Sequence, residues 1–200
     1  MVTTLAVAPA AVPGQTPLDA DEASALLPRH IATQSALNEW EQANILRAVQ
    51  WLHRRRAATV LSEDFCRSLH RHMFDRTWRW AGQFRRSDKN IGCAWPEVPT
   101  RLRQLLDNTA YWVANGVFPL DQAAAQLHHQ LVWIHLFPNG NGRHARLMAD
   151  SLLRQHGAAP FSWGAGQSGD APGATRQRYI AALRTADAGD VAALLAFARR

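Results

Sequence analysis

The run Pro138-Asn-Gly-Asn-Gly142 constrains the fold more than any other stretch, because it separates two helical periodicities. Upstream, Leu120, Ala123, Ala124, Leu127, Leu131 and Ile134 form one clean apolar stripe. Downstream, Ala145, Met148, Leu152 and Leu153 recur at helical spacing. Pro138 disfavours the helical region for Phe137, so the first helix is expected to end about there. The glycines tolerate positive φ and let backbone N–H groups converge without interference from Cβ atoms. A new helix is expected from about Gly142.

The side chains around this corner are those of phosphate chemistry. Arg143 and Arg146 are three apart in the first turn of the second helix, so both point to one side. Arginines oppose the dipole at a helix N-terminus. A polyphosphate lying between them and the free amides offsets that cost. His135, one loop away, is in reach to take a proton from a hydroxyl that attacks such a phosphate. The plainer alternative is a helix–loop–helix corner with solvated arginines.

The segment His135-Leu-Phe-Pro-Asn-Gly-Asn-Gly-Arg-His-Ala-Arg146 resembles the motif H-x-F-x-[DE]-G-N-G-R-x-x-R of the Fic (Fic/Doc) family. It departs only at Asn139, where the family has Asp or Glu. Further likeness lies in Leu69-His-Arg-His-Met-Phe74, Trp78-Arg-Trp-Ala-Gly82 and the tail from Tyr179 through Gly189-Asp190 to Phe197. The resemblance runs from roughly residue 33 to 200. It implies that His135 is the general base and that Phe137 anchors the loop. Gly140, Asn141 and Gly142 would form the anion hole. Arg143 and Arg146 would bind phosphates, Arg146 nearest the terminal one. Residue 139 would hold Mg²⁺, but a neutral amide oxygen is a weaker ligand for that hard cation than a carboxylate. Tyr179 or Arg176 would reach the base of the nucleotide, with Tyr179 as plain core the alternative.

Bulk properties exclude several classes. The chain has 200 residues, 47% of them hydrophobic, which suits one globular domain. No apolar run approaches the roughly 20 residues that cross a bilayer. The start, Met1-Val-Thr-Thr-Leu5, lacks the basic and apolar regions of a signal peptide, so a cytoplasmic protein is expected. The formal net charge of +6 rests almost wholly on arginine, Lys89 being the only lysine. The charges are scattered and no DNA-reading motif is present, so direct nucleic-acid binding is not expected. Cys66 and Cys93 lack metal spacing and read as reduced structural thiols. His70 and His72, two apart on a helix, and the group His128, His129 and His135 read as structural or supporting rather than as zinc ligands.

In order, residues 1–18 read as a flexible tail and 19–200 as a single Fic-like domain. A short helix is expected over Asp19–Ala25, and an amphipathic one over 36–55 with Leu37, Trp40, Ala43, Asn44, Ile45, Ala48, Trp51 and Leu52 inward. Further helices are expected over 62–76 (capped by Ser62), Val98–Asn115, Leu120–Ile134, about 142–156 and Thr175–Asp187, with a last one carrying Val191, Leu194, Leu195 and Phe197. Pro160–Gly173 reads as a loop. Arg86–Ile91 reads as a short extended segment of a hairpin. The fold expected is therefore all-α, a bundle of six to eight helices with one small β-hairpin flap.

The resemblance also assigns the flap and a lock. Asp88, Lys89, Asn90 and Ile91 would line the nucleotide side or dock an extended target chain. Many family members are held inactive by a helix bearing [ST]-x-x-x-E-[GN], whose Glu pairs with the second arginine of the motif. Glu39 follows Ser35 at the right spacing but precedes Trp40, and Glu41 lacks the Ser or Thr. Both are candidates, with ordinary surface carboxylates as the alternative.

The activity implied is transfer of AMP from ATP, with Mg²⁺, to a Ser, Thr or Tyr hydroxyl of a target protein. Alternatives are another nucleotidyl or phosphoryl transfer, removal of AMP, or a weakly active nucleotide- or partner-binding module because of Asn139. The runs Leu37-Asn-Glu-Trp-Glu-Gln-Ala-Asn44 and Ser87-Asp-Lys-Asn-Ile-Gly92 are similar to the subgroup called mobile mystery protein B. That subgroup implies a bacterial toxin–antitoxin-like pair with a helix-turn-helix partner.

Overall fold

Ser62 accepts the Phe65 amide through its side chain and so starts a helix, and Asp19 does the same for Glu22 within a reciprocal capping box. From such local rules the computed structural model builds α1 (Ala20–Ser24), α2 (Gln34–Arg54), α3 (Glu63–Phe74) and α4 (Val98–Ala114). It continues with α5 (Leu120–Ile134), α6 (Asn141–Gln155), α7 (Ala174–Asp187) and α8 (Ala192–Ala198). The structure describes residues 16–54, 59–165 and 173–200. Most of the tail expected over 1–18, the end of the basic run His53–Arg56 and the middle of the 160–173 loop lie outside the described residues. Within the expected tail, Thr16 is buried and Leu18 packs against the core.

The all-α expectation holds, with eight α-helices among the described residues. The hairpin does not form. Residues 83–93 are bends and coil, and the isolated antiparallel bridge among the described residues joins Leu26 to Trp78. The reason is the buried guanidinium of Arg85, which takes the carbonyls of Ser87 and Cys93 from inside the loop. A single cation therefore satisfies carbonyls that a strand ladder would otherwise pair.

Helix α5 is the central element. Ala123, Ala124, Leu127, Leu131 and Ile134 bury its stripe against α4, α6 and α8. Helix α3 packs between α2 and α6 and contributes Phe65, Leu69, Met73 and Phe74. Full burial of each such large side chain contributes roughly 2 kcal/mol. Two members expected in the α2 stripe face outward instead: Ala43 is exposed and Trp40 partly so. Trp40 leaves its ring at the surface because its Nε1 donates to the Arg76 carbonyl at 3.1 Å. The corner between α5 and α6 is thus backed by α3 and bordered by α2, which is what brings the N-terminal glutamates within reach of it.

Candidate active site

His135 ends α5 in the left-handed region, at φ 59° and ψ 65°. That geometry is costly for a side chain with a Cβ. It is held by the Arg85 Nε, which donates to the His135 carbonyl at 2.6 Å, and by the Arg85 amide, which donates to the Leu136 carbonyl at 3.0 Å. The imidazole is buried at 4% exposure, and neither ring nitrogen has a hydrogen-bond partner among the described residues. Burial, with the Arg85 charge adding to it, pushes its pKa down to about 4. At neutral pH the ring is an uncharged base with an unused lone pair.

The turn that follows is stapled at three points. The Asn141 side chain accepts from the Phe137 amide at 2.9 Å and donates to the Phe137 carbonyl at 2.8 Å. Gly140 takes φ 80°, and a Cβ there would stand 2.5 Å from the Phe74 ring, so no other residue fits without displacement. His70 supplies the third point. Its Nδ1 accepts from the Gly82 amide at 3.0 Å, which leaves Nε2–H to donate to the Asn139 carbonyl at 3.1 Å. Its ring stacks on Phe137 with centroids 3.7 Å apart. Helix α6 then begins without a side-chain cap, so its first amides are free for an anion.

The two arginines diverge in their partners. Arg143 Nη1 lies 2.7 Å from Glu41 Oε2, and its guanidinium lies over the Phe74 ring. Glu41 is buried, and its Oε1 accepts from Trp78 Nε1 at 2.7 Å. Arg146 instead lies over the rings of Tyr179 and Trp163, at 4.5 and 5.5 Å. Its Nε is buried with no hydrogen-bond partner among the described residues. The expected Glu–Arg146 pair is therefore corrected. The carboxylate reaches the first arginine, because Trp78 fixes Glu41 on the Arg143 side. Glu39 is exposed and accepts from Ser35 Oγ at 3.4 Å.

Asn139 does not present its oxygen to the corner. Its Oδ1 accepts from the Gly140 amide at 2.5 Å, which also takes one amide from the expected anion hole. No cluster of three or more His, Cys, Asp or Glu side chains suited to a metal occurs among the described residues. These residues do not fit a protein-held Mg²⁺.

A model of the Fic/DOC family matches residues 60–153. This segment is a Fic/DOC domain. Protein adenylyltransferase Fic of Drosophila grimshawi is 32% identical over 120 residues, 58% of this chain and 23% of that protein. The Drosophila virilis protein of the same name is 31% identical over 120 residues, with the same shares. The chain thus spans about a quarter of the length of these curated relatives. Fic-1 (residues 134–508) of C. elegans superposes with TM-score 0.66 at 23% identity, over 84% of this chain and 50% of that one. The BepC protein of Bartonella tribocorum, solved with bound AMPPNP, gives TM-score 0.65 at 17% identity, over 84% and 87%. At such identities these solved structures share the fold.

In the Fic/DOC domain two of the four flap residues bond within the protein and two are exposed. Asp88 accepts from the Trp95 amide at 2.8 Å. Lys89 pairs with Glu22 and, at 3.4 Å, with Asp19, which ties the flap to α1. Asn90 and Ile91 are exposed. Gly92 touches the base directly: a Cβ there would lie 2.8 Å from that of His135. Tyr179 joins the corner through its ring against Arg146, and its hydroxyl lies 3.0 Å from His128 Nε2. Burial holds the His128 pKa down at about 3, with the Arg146 charge adding to it. His129 pairs with Asp187 at 2.8 Å. Two open clefts, of about 410 and 330 Å³, lie beside the flap base and between α4 and α5, and neither is lined by His135, Arg143 or Arg146. The structural reading of His70 holds, though its partners Gly82 and Asn139 were not foreseen, and sequence reasoning missed the role of Arg85. The pattern Leu69-His70 and the arginine after Trp80-Ala-Gly82 were the available signals.

Proposed function

We propose that the protein transfers AMP from ATP to a Ser, Thr or Tyr hydroxyl of a target protein. One observation carries this reading: a buried imidazole with neither nitrogen hydrogen-bonded among the described residues stands one turn before an uncapped helix N-terminus bearing two arginines. In the step proposed, the acceptor hydroxyl gives its proton to His135 and its oxygen attacks the α-phosphorus. The bond to the bridging oxygen breaks and pyrophosphate leaves. The α6 amides and Arg143 stabilise charge on the phosphate oxygens, and Arg146 takes the terminal phosphate. The names of the curated relatives and the AMPPNP bound to BepC support it.

Glu41 occupies Arg143, so the chain as it stands is read as autoinhibited. The likeness to mobile mystery protein B adds a toxin-like role, a helix-turn-helix antitoxin-like partner and a bacterial, cytoplasmic setting. Among the described residues no helix is long and apolar enough to cross a membrane.

A second reading has its own observation. Asn139 Oδ1 occupies the Gly140 amide and no carboxylate stands at that position, which favours a weakly active nucleotide- or partner-binding module. Incubation with α-labelled ATP and Mg²⁺, with Glu41→Gly and Asn139→Asp variants, separates the two. Label on the protein or on lysate proteins with Asn139 intact supports transfer. Label only after Asn139→Asp supports the module, and no label in any variant rejects transfer.

A further inference from the structure

Arg85 carries its charge into the fold at 2% exposure, and its side chain is spent on the protein itself. Nε donates to the His135 carbonyl at 2.6 Å, and Nη1 to the Ser87 carbonyl at 2.9 Å. Nη1 also lies 3.5 Å from Asp88 Oδ1. Nη2 donates to the Cys93 carbonyl and, at 3.3 Å, to that of Ile134. A guanidinium has five N–H groups in a fixed plane. Here four backbone carbonyls accept from it and the Asp88 carboxylate stands 3.5 Å away, so its donors are turned onto the protein itself. The acceptors fall in two sets. Ser87, Asp88 and Cys93 belong to the flap, and Ile134 and His135 to the end of α5.

We propose that Arg85 is a positioning residue that locks the flap and the His135 corner into one rigid unit, so that a hydroxyl docked along the flap meets the imidazole at a fixed distance. The proposal rests on the reading of His135 as the base. Gly92 shows how tightly the two parts approach, since a Cβ there would also lie 3.0 Å from Arg85 Nη2. Misplacement by about 1 Å costs on the order of a hundredfold in rate. Lysine keeps the charge but has three N–H groups and no plane, so it cannot serve both sets of carbonyls.

The test uses Arg85→Lys and Arg85→Ala in the full chain carrying Glu41→Gly. Amide hydrogen exchange is expected to rise at least tenfold over 87–93 and 134–136 in both, with α2 and α6 unchanged. AMP transfer from α-labelled ATP is expected to fall about a hundredfold, with the Kd for ATP within twofold of the parent. Unchanged exchange in Arg85→Lys overturns the proposal, as does full transfer by that variant or an equal loss of ATP binding. If Arg85→Ala does not fold, Arg85→Lys carries the comparison. A parent that transfers no AMP rejects the proposed activity, while the exchange data still decide the lock.

Discussion

Glu41 bridges Trp78 and Arg143: one carboxylate oxygen accepts the indole N–H at 2.7 Å and the other meets the guanidinium at 2.7 Å. The buried carboxylate is thus fully used, and it sits on a cation that a nucleotide phosphate would otherwise take. Removing it should help binding and harm stability. Glu41→Gly is expected to tighten ATP binding roughly tenfold, about the strength of one charge-assisted hydrogen bond. It should also lower stability by about 2–4 kcal/mol, through the orphaned indole and a glycine inside α2. Titration calorimetry and urea unfolding check both. Glu39→Gly, at an exposed position, should leave ATP affinity unchanged.

Gly140 has no room for a side chain. Its φ of 80° and the Phe74 ring 2.5 Å from a built Cβ act together. Gly140→Ala should cost roughly 2–5 kcal/mol in urea unfolding, from left-handed strain and overpacking. It should also weaken ATP binding, because the α6 amides follow directly.

His70 links Gly82 to Asn139 through one imidazole. His70→Ala opens a cavity beside Phe137 and leaves buried polar groups unpaired, at about 2–4 kcal/mol. Faster hydrogen exchange centred on 137–141 is the expected signature. Uniform exchange across the chain would contradict a local role.

Buried histidines give the fold an acid limit. The pKa values of His135 and His144 are lowered to about 4 and that of His128 to about 3, in each case mainly by burial, and His70 is lowered well below the usual range. The unfolded chain takes up these protons from about pH 6.5 downward while the folded chain does not, so stability falls as pH falls. Each contributes at most roughly 1.4 kcal/mol per pH unit between its unfolded and folded pKa. Tm should therefore drop between pH 7 and 5, before most carboxylates titrate. AMP transfer by the folded protein should keep its base down to about pH 4. An acid limb near 6.5 would mean the ring is solvated.

Much of this was legible in the sequence. Apolar periodicity gave all the main helices, and the Ser62 cap and Pro138 gave two boundaries, because these are local effects. The corner between α5 and α6 was legible because its motif lies in twelve consecutive residues. What escaped is long-range. The choice of Glu41 over Glu39, and of Arg143 over Arg146, depends on Trp78, which lies 37 residues from Glu41. The hairpin failed because a side chain 50 residues from His135 satisfies the flap carbonyls instead. Asn139 stands out in the sequence as a departure from the motif, but its turn onto the Gly140 amide is set by the fold.

The most direct test of the whole account compares Glu41→Gly with the double variant Glu41→Gly/His135→Ala, in ATP affinity and in label transfer from α-labelled ATP. The account predicts equal affinity within about threefold and a loss of transfer of at least a hundredfold, the size of a missing general base. Undiminished transfer by the double variant, or a parallel collapse of ATP binding, would contradict it.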